Sequence, residues 1–163
     1  MGRGLALLGK PGVGKTFAMC VLGNELARRE VQIGYTTVEG YLKRERALID
    51  LRAKWAKSFG DVDAEEEWDS IRTLHENMRD SVTVLLIDDV GKEHTTATGY
   101  AEDEIDYLMR YRFDAALPTL ITSNIPAKQW GAKYSPAMAS FIKEAFVLAT
   151  VSGDDMRDKK QRR

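Results

Sequence analysis

The sequence predicts an α/β domain, a parallel five-stranded sheet with helices on both faces. Three observations carry this. Short apolar runs alternate with helix-compatible stretches along the 163 residues. The runs at 81–87 and 118–123 are nearly continuous in apolar and β-branched residues, as strands buried on both faces are. Leu5–Leu8 leads through a glycine-rich stretch directly into the helix-compatible Thr16–Arg29.

The remaining elements follow in order. Gln32–Val38, rich in β-branched and aromatic residues, reads as the second strand. Tyr41–Phe59 reads as a long helix, because Leu48, Leu51, Trp55 and Phe59 fall on one stripe while Lys43, Arg44, Arg46, Arg52, Lys54 and Lys57 occupy the other face. Gly60–Asp63 breaks it. Ala64–Met78 is a second amphipathic helix, with Trp68, Ile71, Met78 and either Leu74 or His75 on its apolar side. Ser81–Ile87 is a strand that runs into Asp88-Asp89. Gly91–Gly99 is loop, Ala101–Ala115 helix, and Pro118–Ser123 a strand ending at Asn124. Ser135–Glu144 is a short helix and Ala145–Val151 the last strand, followed by a charged tail from Asp154. No internal repeat or low-complexity linker interrupts the chain.

Composition bounds the function. At 44% hydrophobic, the chain has material for one core. No apolar run approaches the roughly 18 residues of a membrane span, and no signal peptide is visible, so no membrane association is expected. The single Cys20 has no disulfide partner and is expected to be a buried, inert thiol of the first helix, which suits a reducing cytoplasm. Two histidines, His75 and His94, and one cysteine argue against a structural zinc site. The net charge of −1 hides a division: residues 1–58 carry 11 Lys/Arg against 5 Asp/Glu, residues 59–106 carry 3 against 15, and residues 107–163 carry 10 against 5. Such asymmetry fits a polyanionic partner for the basic parts and equally fits ordinary solvated helix faces.

Residues 9–16, GKPGVGKT, match G-x-x-x-x-G-K-[ST] with Gly9, Gly14, Lys15 and Thr16 at the fixed positions, in the strand–loop–helix context the motif requires. Glycines let the backbone curl and aim N–H groups at phosphate oxygens, and the helix that begins near Gly14 adds the positive end of its dipole. Lys15 is expected on the β- and γ-phosphates of a nucleoside triphosphate and the Thr16 hydroxyl on Mg²⁺. Pro11, Gly12, Val13 and, one residue past the motif, Phe17 complete the expected contact set. The apolar strand of VLLIDDVG ends in two carboxylates, and strand C-termini in open parallel sheets face the ligand crevice. Asp88 is expected to hold Mg²⁺. Asp89 is expected to orient and polarise the attacking water, with Glu93 as a fallback. Asn124 can donate to the γ-phosphate or fix the water, although Asn before Ile-Pro also favours a turn.

Together GKPGVGKT, LLIDDVGKE, the Arg110-Tyr-Arg112 helix followed by LPTLITSN, and the terminal VSGDDMR resemble the AAA+ ATPases, and within them the DnaC/IstB-type helicase loaders and transposition helpers. The resemblance covers nearly the whole chain. It implies a strand order of 5-1-4-3-2, a nucleotide-binding domain over 1–157 with an inserted helix pair at 41–79, and a tail at 158–163. It implies no separate helical lid, since the chain ends soon after Arg157. It makes Asn124 the polar residue that senses the γ-phosphate, and Arg157 the terminal arginine that does the same. It also implies ATP and Mg²⁺ as ligands, a bacterial or phage origin, and DNA and a replicative helicase as partners, with Lys43, Arg44 and Arg46 as a candidate single-strand track.

Two departures stand out. The helix before the last strand, SPAMASFIKEAF, holds Ala137 and Phe141 where relatives carry an arginine that enters a neighbouring subunit, and only Lys143 is basic. This predicts feeble hydrolysis as a homo-oligomer unless a partner, Arg110 or Arg112 supplies the charge. The amino-terminal module by which loaders grip their helicase is also not found in these residues. Three functions follow: an ATPase that helps load a replicative helicase, a transposition helper acting on duplex DNA, and a nucleotide-binding adaptor that blocks a host loader or helicase with negligible turnover. A small-molecule kinase is disfavoured because no arginine-rich lid appears between the later strands.

Overall fold

The computed structural model describes residues 2–57, 62–93 and 99–157. Phe59, the helix break at Gly60–Asp61, His94 and the tail at 158–163 lie outside them. Five strands form one parallel sheet: β1 (Gly4–Leu8), β2 (Ile33–Thr37), β3 (Val84–Val90), β4 (Thr119–Ser123) and β5 (Phe146–Thr150). Their order is β2-β3-β4-β1-β5, the expected 5-1-4-3-2 read from the other edge. The helices are α1 (Lys15–Arg28), α2 (Val38–Lys57), α3 (Val62–Glu76), α4 (Tyr100–Asp114), the single turn α5 (Trp130–Lys133) and α6 (Pro136–Ala145).

The period-2 alternation of strand side chains divides the core into two layers. Leu7, Val84, Leu86 and Leu120 pack with Met19 of α1. Ala6, Leu8, Leu85, Ile87 and Ile121 face the other way, onto Tyr41 of α2, Ile105, Leu108 and Met109 of α4, and Met138 and Ile142 of α6. Both faces of the central strands are covered, which is why their sequences read as unbroken apolar runs. The Ser135 side chain caps α6 by accepting the Met138 N–H at 3.0 Å, with Pro136 at the first helical position.

Cys20 corrects one expectation. The buried side of α1 is Lys15, Met19 and Gly23, spaced one turn apart, so Cys20 lies on the outer side and is exposed. The apolar neighbours that suggested burial, Val21 and Leu22, are themselves 50% and 39% exposed.

The helix pair at 41–79 projects from the body. Only Val38, Tyr41 and Leu42 of α2 are buried, and Trp55 on the expected apolar stripe is 42% exposed. On α3 the structure chooses His75 over Leu74 for the inner side: His75 is buried and its Nε2 lies 2.7 Å from Glu45, whereas Leu74 is 47% exposed. The α3 helix ends in a π-helical turn, Asn77–Ser81. Arg112 of α4 secures that turn. Fully buried, its guanidinium donates to the carbonyls of Met78, Arg79, Val82, Thr83 and Pro118 and to the Thr119 hydroxyl. Burial lowers its pKa to about 10, so it stays charged at neutral pH.

Candidate nucleotide site

The loop between β1 and α1 sits at the carboxyl ends of β1, β3 and β4. Gly12 and Gly14 have φ of +79° and +94°, a region that side chains resist. A Cβ on Gly12 would also fall 2.0 Å from the Asp155 carboxylate. The terminal segment lies against this loop: the Val151 N–H donates to Leu8 O at 2.7 Å and the Met156 N–H to Gly12 O at 3.0 Å. That contact carries Arg157 to the rim of a cavity of about 250 Å³. Its lining is Pro11, Gly12, Gly14, Lys15, Thr16, Asp89, Lys92, Asn124 and Arg157.

Lys15 is buried, and its ammonium donates to Lys10 O and to Asn124 Oδ1, both at 2.7 Å. Burial lowers its pKa, and the Asp89 and Asp88 carboxylates oppose that shift. The Thr16 hydroxyl lies 3.0 Å from both carboxylate oxygens of Asp88. The two residues expected on one metal ion therefore converge, from the start of α1 and the end of β3. A hydroxyl and a buried carboxylate that already face each other fit a hard divalent cation, which favours oxygen donors.

Two residues that sequence reasoning missed hold Asp88. The buried Thr122 on β4 donates to Asp88 Oδ1 and accepts the Asp89 N–H at 2.9 Å. The Tyr35 phenol on β2 donates to Asp88 Oδ2 at 3.4 Å; burial and the Asp88 charge raise its pKa. The β3–β4 register breaks between Ile87 and Val90, and Asp89 adopts φ +63°. This bulge brings Asp89 to the cavity lining. There its carboxylate pairs with the Lys92 ammonium at 2.7 Å, a second contact not foreseen. The only advance signal for Thr122 was its place two residues before Asn124; Lys92 gave none, because its aim depends on a turn.

Several expected residues stand elsewhere. Glu93 does not reach the cavity. Gly91, at φ +94°, turns the chain, and the Glu93 carboxylate folds back to accept the Gly91 N–H at 2.8 Å. Buried, it lies 3.5 Å from Lys133, whose ammonium also approaches Glu102. Gly9 and Val13 line an adjoining groove of about 580 Å³ that meets the cavity at Asn124. Phe17 is 70% exposed and borders neither space. Of the proposed track, Lys43 and Arg46 are exposed beside a groove that Lys92 also lines. Arg44 is not on that face: its guanidinium turns inward, donating to Thr36 Oγ1 at 2.6 Å and toward Met78 Sδ at 3.1 Å. Arg112 is no finger either, since its buried guanidinium is committed to the π-helical turn. Arg110 pairs with Asp106 at 2.7 Å and lies over the buried Phe141 ring.

Comparison with known proteins agrees with this fold. The family described as IstB-like ATP binding protein matches residues 2–163. The chain belongs to this family. Among relatives of the IstB-like domain, the replicative helicase loader DnaI of Bacillus subtilis is 32% identical over 124 residues, 76% of this chain and 33% of that protein. The chain thus spans about a third of that relative's length. The fold is shared with the DnaC helicase loader (TM-score 0.63, 20% identity, 92% of this chain and 78% of that one). It is shared also with DnaA of Aquifex aeolicus bound to AMPPCP (TM-score 0.65, 17% identity, 99% of this chain and 46% of that one). These are AAA+ folds, so the architecture expected of the IstB-like domain is the one observed. Among the described residues, no helix is long and apolar enough to cross a membrane.

Proposed function

We propose that this IstB-like domain binds ATP with Mg²⁺ in the Gly9–Thr16 loop and hydrolyses it slowly, as a cytoplasmic, DNA-associated protein that acts in helicase loading. The observation that carries the reading is the convergence of four side chains from three adjacent strand ends: Lys15 on Asn124, and Thr16 on Asp88. Lys15 would leave Asn124 for the phosphates, and Asn124 would then face the terminal phosphate. Thr16 and Asp88 would hold Mg²⁺, which supplies charge neutralisation at the β- and γ-phosphates. Asp89 would accept a proton from water. The water oxygen bonds to the γ-phosphorus while the bridging P–O bond breaks toward ADP. Arg157, which lines the cavity, would meet the terminal phosphate.

Lys43 and Arg46, with Lys92 beside them, offer three cations to a phosphate backbone along a groove that Glu39 and Glu93 also line. The DnaI relative is described as a replicative helicase loader, and a DnaA of similar fold is described as bound to single-stranded DNA. Both support the same setting here. A second reading is favoured by the arginines: Arg112 is buried, Arg110 is paired, and α6 carries none. Turnover would then be negligible, and the domain would act as a nucleotide-dependent adaptor.

Equilibrium binding of ATP·Mg and of single-stranded DNA across salt tests the proposal. Lys15→Ala is expected to weaken ATP about 100-fold, the scale of losing a buried charge-assisted contact to phosphate. Charge reversal at Lys43 and Arg46 is expected to weaken DNA and flatten its salt dependence by roughly one to two contacts. Unchanged ATP affinity defeats the site. Salt-independent DNA binding defeats the track. Turnover that stays at background with DNA and helicase present selects the adaptor.

A further inference from the structure

Lys92 stands at a junction. The Gly91 turn places it after the bulged acidic strand, and its own N–H donates to Asp89 O at 3.1 Å. Its ammonium lies 2.7 Å from Asp89 Oδ2 with the side chain half exposed, so the head is held while the stem is free to swing. It lines the nucleotide cavity on one side and, on the other, the groove that holds Lys43 and Arg46. In this arrangement Asp89, the group expected to take a proton from water, is covered by a cation of its own chain.

We infer that Lys92 is a cation shared between Asp89 and the terminal phosphate of a bound nucleoside triphosphate, clamped on Asp89 without the triphosphate and drawn off it when one binds. The inference rests on the nucleotide-site reading and deepens it. A terminal phosphate carries more negative charge than a carboxylate, and Coulomb attraction scales with that charge. Lys92 and Asp89 line the same cavity as Lys15 and Arg157, so the ammonium competes for the phosphate from where it already stands. Its transfer leaves the Asp89 carboxylate open to water. A diphosphate, which lacks the terminal group, leaves the clamp in place. The same movement takes a positive charge from the wall shared with the Lys43–Arg46 groove, which couples nucleotide state to that face.

The test is the affinity of a non-hydrolysable ATP analogue and of ADP, each with Mg²⁺, for the parent, Lys92→Ala, Lys92→Arg, Asp89→Asn and the Asp89→Asn/Lys92→Ala double variant. Lys92→Ala is expected to weaken the analogue roughly tenfold, the scale of one hydrogen bond to a charged group, and ADP less than about twofold. Lys92→Arg is expected to retain most of the analogue's affinity. Asp89→Asn releases the ammonium and tightens the analogue a few-fold, and this gain is expected to vanish in the double variant, because the two residues act as one unit. Equal weakening of analogue and ADP by Lys92→Ala overturns the inference. So does an Asp89→Asn gain of the same size in both backgrounds, which marks simple removal of negative charge. A parent that binds neither nucleotide, or a Lys15→Ala variant that binds as the parent does, overturns the site reading itself and the clamp with it.

Discussion

The nucleotide cradle and the α2–α3 pair are built on opposite plans. In the cradle, Lys15, Thr16, Asp88 and Asn124 rise from the ends of strands or the first turn of α1, and each already has a protein partner. Asp88 accepts from Thr16, Thr122 and Tyr35, and Lys15 donates to Lys10 and Asn124. Among the described residues, the helix pair is anchored at its root, where Tyr41 and Leu42 are buried, Arg44 donates to Thr36 and Arg112 holds the π-helical turn, while Tyr41 and Glu45 of α2 contact His75 of α3. Beyond the root, Ile49, Trp55, Val62 and Leu74 are exposed. The cradle is braced by the sheet, whereas the helix pair rests on a few buried polar groups at its root.

Breaking that root should give the largest effect. Arg112→Met removes the donor shared by five carbonyls and a hydroxyl. The Pro118 carbonyl keeps a backbone partner, the Leu85 N–H, and the several acceptors left unsatisfied are expected to cost about 3–5 kcal/mol in unfolding free energy measured by denaturant titration. Arg112→Lys should not rescue it, because a single ammonium cannot reproduce the planar fork. If Arg112→Met melts with the parent, the root does not depend on the guanidinium.

The cradle counterpart is smaller in stability and sharper in function. Thr122→Val keeps the shape and removes the hydroxyl that joins Asp88 to the Asp89 backbone. Loss of about 1–2 kcal/mol of stability is expected. ATP turnover should fall about 10–100-fold, with ATP affinity changed less than about threefold, since the hydroxyl positions the acids and does not touch the phosphates. An equal loss in affinity and turnover would show that Thr122 shapes the binding loop instead.

The smallest effect separates the regions by pH. Burial lowers the His75 pKa from the ordinary 6.5; the Glu45 carboxylate opposes the shift, and Arg44 and Arg79 add to it. A group whose folded pKa lies below its unfolded value contributes stability that is full above about 6.5 and is lost as pH falls toward the folded pKa. Acidification from pH 7 to 5 should therefore loosen the helix pair, read as faster amide exchange in α2 and α3. His75→Phe should remove that part of the pH response. A pH response unchanged in His75→Phe would place its origin elsewhere.

The same contrast explains what could be read from the sequence. The loop at 9–16, Asp88 and Asn124 were legible because fixed spacing and strand ends dictate where they go. Strand order followed from the family resemblance. Thr122 and Lys92 were not legible, because the first depends on the β3–β4 register and the second on the turn at Gly91. In the helix pair, a row of basic residues said nothing about which were solvated. Arg44 was read as part of the basic face and Arg112 of α4 as a substitute finger, yet one turns onto Thr36 and the other disappears beneath a π-helical turn that no periodicity announces. Cys20 failed for a related reason: apolar neighbours in sequence are not neighbours on one helix face.

The loop at Gly9–Thr16 and the acid at Asp88 are proposed to meet over one metal–triphosphate. The most direct measurement is ATP affinity with and without Mg²⁺, in the parent and in Asp88→Asn. The parent should gain about tenfold or more from Mg²⁺, the scale of charge-assisted contacts, and Asp88→Asn should gain less than about twofold. An Asp88→Asn protein that gains from Mg²⁺ as fully as the parent would show that Asp88 does not hold the metal.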